Sequence, residues 1–186
     1  MFVNMKATPN RWQTLSTRKI YDNPWIEVKE DRIINPAGKP GIYGKVSFKN
    51  LAVAIIPLDR EQNTWIVGQH RYTLDQYSWE LPMGGVPFDE DPLIGAQREL
   101  REETGITAAK WNLLLSMHTS NSVTDELAYT YVAEDLTIGD PEFDETEDLQ
   151  IKKVPLTELL ELVMAGEITD GLSVASILKI ARILGM

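Results

Sequence analysis

Apolar positions along the 186-residue chain follow two kinds of pattern, and the change between them orders the molecule. Over the first two thirds they come in short runs bounded by Gly, Pro, Asn and Asp, which is how strands and turns read. Residues 17–34, TRKIYDNPWIEVKEDRII, hold two strand-like runs around an Asp-Asn-Pro turn, and a further turn spans Asn35 to Gly41, so the N-terminal part is expected to form a β-meander. LAVAIIPL, residues 51–58, is a continuous apolar run of the length of a central strand; TWIVGQH, residues 64–70, is expected to be its hairpin partner across Asp59 to Asn63. Trp111 to Met117 and Leu127 to Val132 are further strand-like runs. From Leu156 to Met164 and from Leu172 to Leu184 the spacing becomes helical, with Gly166 and the Asp170-Gly171 pair between, predicting two terminal helices. There is no internal repeat and no low-complexity linker.

A third helix is predicted in the middle. Asp91 followed by Pro92 reads as an N-cap and first turn, and Gly105 as a left-handed C-terminal cap, which sets the helix at about Pro92 to Thr104. Leu93, Ala96 and Leu100 recur at i, i+3 and i+7 and can face a core, while Glu99, Glu102 and Glu103 fall together on another face. Strands in the first part and three helices imply an α+β or α/β fold with a mixed sheet.

Length argues for one globular unit, and 43% apolar residues suffice for a packed core. Cysteine is absent, which excludes disulfides, thiolate metal sites and cysteine nucleophiles. No apolar run approaches the ~18 residues of a membrane span, and the N-terminus lacks the apolar centre of a signal peptide, so a soluble, cytoplasmic protein is expected. Acidic residues outnumber basic ones 28 to 18, for a formal charge of −10 and a pI near 4.7. That charge opposes binding to nucleic acid or an anionic membrane. An anionic substrate would need a cation to bring it in, and a divalent metal is the obvious one.

Charge clustering on the middle helix is the strongest signal. Three carboxylates at i, i+3 and i+4 destabilise an isolated helix by a few tenths of a kcal/mol per pair, with local relief only from Arg98. A run such as Arg98, Glu99, Arg101, Glu102, Glu103 is ordinarily a solvated face. Its wider spacing points elsewhere: Gly84, five residues, Glu90, seven residues, Arg98-Glu99, an aliphatic, any residue, Glu102-Glu103, any residue, Gly105, an aliphatic.

This pattern resembles the complete Nudix box, and the chain resembles the Nudix hydrolases. The resemblance implies the Nudix fold, an α/β/α sandwich with a mixed β-sheet between helices, in which a loop, helix and loop present carboxylates to magnesium or manganese. It implies Glu99 and Glu103 as principal metal ligands, Glu102 as a carboxylate for an additional ion, the Met83 carbonyl as a backbone ligand and Arg98 as an orienting residue. Gly84 is expected to let the loop turn tightly beside the metal, Leu100 and Ile106 to anchor the helix, and Glu90 to hydrogen-bond loop and helix. Oxygen-only ligands suit these hard cations.

The flanks narrow the resemblance. QHRYTLDQYSWELPMGG, residues 69–85, resembles the ADP-ribose pyrophosphatase and nucleoside-diphosphate-sugar branch, implying that Arg71 contacts a substrate phosphate; a surface strand charge is the alternative. TSNSVTDE at 119–126 places Asn121 and Ser122 where ADP-ribose hydrolases usually carry a proline-glycine pair, while Asp125 and Glu126 match; Ser122 and Glu126 are thus candidate substrate contacts. GEITDGLSV, near the C-terminus, resembles GDP-mannose as well as ADP-ribose hydrolases. The branch implies that residues 1–48 form a dimerising β segment ahead of a Nudix domain at 49–186, with Trp25 and Tyr43, or Trp12 in substitution, sandwiching a base in a homodimer. In EFDETEDLQI at 142–151, a solvated loop by composition, the resemblance implies Glu145 as general base and Glu147 as a water-mediated metal partner. His118 reads as a loop residue. The activity implied is metal-dependent hydrolysis of nucleoside-diphosphate sugars to a nucleoside monophosphate and a sugar phosphate. Hydrolysis of nucleoside triphosphates or capped RNA, or nucleotide binding without catalysis, are the alternatives.

Overall fold

The computed structural model describes residues 7–142 and 149–186. Their contacts divide into two compact units, one of residues 7–49 with 122–125 and one of residues 50–121 with 126–142 and 149–186, where length had suggested one.

The first unit is an antiparallel meander of β1 (Gln13–Asp22), β2 (Ile26–Ile34) and β3 (Pro40–Phe48) in the order β1-β2-β3. Its turns are those the sequence indicated: the Asn23 side chain accepts from the Trp25 and Ile26 amides at 2.9 and 2.7 Å, and that of Asn35 from Ala37 and Lys39, both at 3.0 Å. Every residue of β1 is exposed, and cross-strand ion pairs such as Arg18–Glu30 at 3.2 Å and Lys45–Asp31 at 2.7 Å line the sheet.

The second unit holds two sheets. β4 (Asn50–Pro57), β7 (Met83–Pro87), β8 (Ile106–His118) and β9 (Leu127–Ile138) assemble in the order β7-β4-β9-β8, with β4 and β9 parallel and the other pairs antiparallel. β5 (Asn63–Arg71), β6 (Gln76–Glu80) and β10 (Gln150–Pro155) form the antiparallel order β10-β5-β6. The expected hairpin between 51–58 and 64–70 is therefore not made. Both edges of β4 are taken by β7 and β9, and the Asp59 carboxylate, accepting from the Glu61 and Asn63 amides, turns the chain toward the other sheet.

β4 explains the layering. Its side chains alternate between two cores: Val53 and Ile55 join Val86, Ala96, Leu100, Ile106 and Ala133 beneath the helix α1 (Pro92–Thr104), whereas Ala54 and Ile56 join Leu81, Leu156, Leu159, Leu172, Ile177 and Ile180 beneath α2 (Leu156–Ala165) and α3 (Gly171–Leu184). A strand buried on both faces reads as a continuous apolar run, which is why 51–58 looked central. The α/β/α sandwich is present, with strands between α1 and the α2–α3 pair.

α1 begins and ends where its caps predicted. Asp91 Oδ1 accepts from the Leu93 amide at 2.9 Å, Pro92 occupies the first turn, and Gly105 takes φ 70°. Gly95 seats the helix on β7 so closely that a Cβ there would stand 2.8 Å from Val86 Cγ1 and nearer still to Cγ2. Leu100 and Ile106 are fully buried, and truncating either to alanine should cost ~2–5 kcal/mol. Among the described residues no helix is long and apolar enough to cross a membrane.

Candidate active site

The three glutamates of α1 do not share one solvated face. Glu99 and Glu103 lie inward at 8% and 2% exposure, while the Glu102 side chain is about a third exposed. A carboxylate is rarely buried without compensation, and each inward glutamate has a partner. Glu103 Oε2 accepts the Met83 amide at 3.0 Å, tying the helix to the first residue of β7. Glu99 Oε1 accepts from Arg98 Nη1 at 2.6 Å, and the same nitrogen reaches Glu102 Oε2 at 3.2 Å. Arg98 also donates through Nη2 to the Gly85 carbonyl at 3.3 Å and lies 3.7 Å from Glu90 Oε2. Burial pulls its guanidinium toward neutrality, but Glu99 and Glu102 outweigh that and hold its pKa above the ordinary arginine value.

Gly84 serves as a close-approach residue rather than a turn. It lies within the β4–β7 ladder opposite Val53, and a Cβ there would stand 2.5 Å from Glu99 Oε1 and nearer to the rest of that carboxyl group. Only a residue without a side chain leaves room for Glu99 against this backbone. Glu90, expected to link loop and helix, meets the helix as an ion pair with Arg98, whose fork reaches Gly85 and three carboxylates at once.

The donors gathered here are oxygens: two inward carboxylates, the neighbouring Glu102 and the backbone beside Gly84. Oxygen donors are the kind a hard divalent cation takes, and the space a Cβ would fill at Gly84 is the cradle for Glu99. Among the described residues no three acidic or histidine side chains are grouped as one ion would require; Arg98 stands between Glu99 and Glu102 and supplies positive charge there.

Arg71, the last residue of β5, is paired in register with Gln76, and Glu80 with Val67, so both side chains lie on the same face of the hairpin. Arg71 Nε donates to both Glu80 oxygens, at 3.0 and 3.2 Å, and Nη2 donates to Oε2. The Glu80 bond raises the Arg71 pKa against the opposing effect of burial, with smaller support from the charges of Asp170 and Glu103. Burial raises the Glu80 carboxyl, yet the Arg71 and Ser78 hydrogen bonds and the Arg71 charge together hold it below the usual range. Glu80 had entered only as part of the run 69–85, and Asp170 only as a helix boundary. The signal for Glu80 was opposite charges on one face of a hairpin, visible only once register is known.

The remaining candidates are dispersed. Tyr43 donates to the Ser122 carbonyl at 2.6 Å, and its ring meets Trp12 edge-on at 5.6 Å. Trp25 is 67% exposed at the β1–β2 turn, whereas Tyr43 pairs with Asp31 six positions along β2, so within one chain these two rings are not brought together. Glu126 accepts from the Thr119 hydroxyl, and its carbonyl lies 3.1 Å from His118 Nδ1 at the end of β8. Glu145 and Glu147 lie outside the described residues.

The NUDIX domain family matches residues 48–171, and the nucleoside diphosphate sugar hydrolase N-terminal domain matches residues 12–46. An ADP-ribose pyrophosphatase of Mycobacterium tuberculosis is 31% identical over 91% of this chain and 83% of its own length. One of Bacillus subtilis is 30% identical over 86% of each. A solved ADP compounds hydrolase superposes with a TM-score of 0.85 over 97% of both chains at 19% identity, a likeness of fold. With an intact box seated on the expected sheet and the matching N-terminal strands, this chain belongs to the Nudix hydrolase family.

Proposed function

We propose that the chain hydrolyses the diphosphate bond of nucleoside-diphosphate sugars such as ADP-ribose or GDP-mannose, in a metal-dependent reaction releasing a nucleoside monophosphate and a sugar phosphate. The observation that carries this reading is the placement of the inward carboxylates Glu99 and Glu103 against the Gly84 strand, with the Arg71 guanidinium held by Glu80 three residues before that strand begins. Relatives named ADP-ribose pyrophosphatases, and the match of residues 12–46, support the substrate class.

Glu99 and Glu103, with Glu102 and the Met83 carbonyl, would hold magnesium or manganese, and the cation would neutralise phosphate charge and favour ionisation of water. The chain's own groups do the rest. Arg71 receives a phosphate oxygen, and Arg98 keeps Glu99 and Glu102 oriented. Glu145 accepts the proton of the attacking water, and Glu147 supports the metal set through a water. Ser122 and Glu126 contact the sugar side, and Trp25 and Tyr43 hold the base across a homodimer. Residues 1–48 supply the dimerising strands, and 49–186 the hydrolase domain. A cysteine-free chain suits the cytoplasm, where we place it.

The test is a substrate panel in magnesium and in manganese, read by released monophosphate. Nucleoside-diphosphate sugars should exceed triphosphates by at least ~10-fold in kcat/KM, about 1.4 kcal/mol of transition-state preference. Equal rates on triphosphates overturn the substrate class.

A further inference from the structure

Four consecutive residues, Glu80 to Met83, are each tied by a hydrogen bond to a different element of the second unit. Glu80 receives Arg71 of β5. The Leu81 amide donates to Ser173 Oγ of α3 at 3.0 Å, and the Pro82 carbonyl accepts from the Ile55 amide of β4 at 2.9 Å. Met83 donates to Glu103 of α1 at 3.0 Å. This segment is a strut between the cation on β5 and the box carboxylates.

The pair at its head has an uneven burial that a purely structural ion pair does not need. The Glu80 side chain is 4% exposed and that of Arg71 37%. A buried pair contributes little net stability, since desolvation offsets the attraction, and apolar residues of like volume serve as well. What the arrangement does achieve is presentation. Arg71 spends its Nε–Nη2 edge on Glu80, so the planar guanidinium is fixed in orientation and its remaining donors lie away from that carboxylate. Among the described residues Nη1 makes no hydrogen bond, and besides Glu80 the acids among them whose charges act on Arg71 are Asp170 and Glu103.

We propose that Glu80 is a positioning residue for substrate: it holds the Arg71 guanidinium so that its outward edge meets a diphosphate oxygen, and it fixes that cation at a set distance from the box through the Glu80–Met83 strut. The inference rests on the reading of Arg71 as a phosphate contact and deepens it.

Variants of the 186-residue chain test this, with ADP-ribose turnover in magnesium and calorimetric binding of inorganic pyrophosphate as readouts. Glu80→Gln should raise KM and weaken pyrophosphate binding by ~10-fold or more while kcat stays within ~3-fold, because it releases a cation that binds ground and transition states alike. Arg71→Ala should do the same, and the double variant should be no worse than Arg71→Ala alone, since Glu80 acts only through Arg71. Multiplying losses in the double variant, or an unchanged KM and pyrophosphate affinity in Glu80→Gln, overturn the assignment. Should Glu80→Gln fail to fold, Arg71→Lys decides the question: it keeps the charge pair and loses the fork, so pyrophosphate binding must weaken ~10-fold, and wild-type binding overturns the proposal. If the wild type prefers triphosphates to ADP-ribose, the substrate reading fails while the pyrophosphate comparison still judges Glu80; a wild type that binds no pyrophosphate removes both.

Discussion

Gly84 and Glu99 are fifteen residues apart in sequence, yet the carboxyl of one fills the space where the other would carry a side chain. Gly84→Ala must push Glu99 off the β7 strand, because β7 is held by its ladder to β4 and cannot give. The expected outcome is a loss of ~100-fold or more in kcat/KM, a higher magnesium requirement and a change of only a few degrees in Tm. A titration of activity against magnesium, beside a thermal melt, checks it.

Activity should vanish with chelator, and Glu103→Gln should lower kcat/KM by ~1,000-fold or more through loss of a charged ligand. The fold should persist, since the glutamine carbonyl can still accept the Met83 amide and one like charge has left the helix. Turnover near wild type in that variant would defeat the metal assignment.

Glu145→Gln is expected to keep substrate and metal affinity while lowering kcat by ~100-fold or more, the usual contribution of a general base. Glu147→Gln should mainly raise the metal requirement. Rates measured at saturating and limiting magnesium separate the two, and the reverse pattern exchanges their roles.

Asp59 gives a stability prediction with a definite sign. Burial works against its charge, but Lys153 at 2.7 Å and bonds from the Asn63 side chain and amide hold the carboxyl at about 2. A depressed folded-state pKa stabilises above the unfolded value near 4 and is lost as pH falls from there toward 2. Asp59→Asn should therefore cost ~2 kcal/mol at neutral pH and almost nothing near pH 2, as denaturant unfolding at several pH values would show.

The protein should sediment as a dimer, and Trp25→Ala should raise KM for nucleotide sugars by ~10-fold without altering pyrophosphate binding, since a base contact lies away from the diphosphate. A fully active monomer indifferent to Trp25 would mean that this ring only covers a turn.

What the sequence disclosed follows from the range of the interactions that shape each part. α1 was legible to the residue because Asp91, Pro92 and Gly105 act within one turn of its ends. β4 was legible as central because burial on both faces leaves no polar alternation. Its partner was not: an apolar run says that a strand is buried, not which edges are taken, and the nearby TWIVGQH run lies in another sheet. The carboxylates of α1 were found by spacing, but helical spacing alone put Glu99, Glu102 and Glu103 on one face and could not tell that two turn inward. Glu80 was hidden for the same reason, since its meaning depends on an arginine nine residues back across a hairpin whose register no local pattern fixes.

The tight seat of Gly95 on Val86 has a consequence for how this site could change over generations of substitution. α1 carries the carboxylates and β7 holds the backbone facing them, so the width of the gap between the two is set at Gly95, by the absence of one methyl group against Val86. A larger residue there would prise helix from strand like a shim under a hinge and widen the gap with every acidic residue left intact. Chains of this lineage can therefore lose the chemistry while keeping every letter of its signature, and inspection of the glutamates alone would pass them as competent.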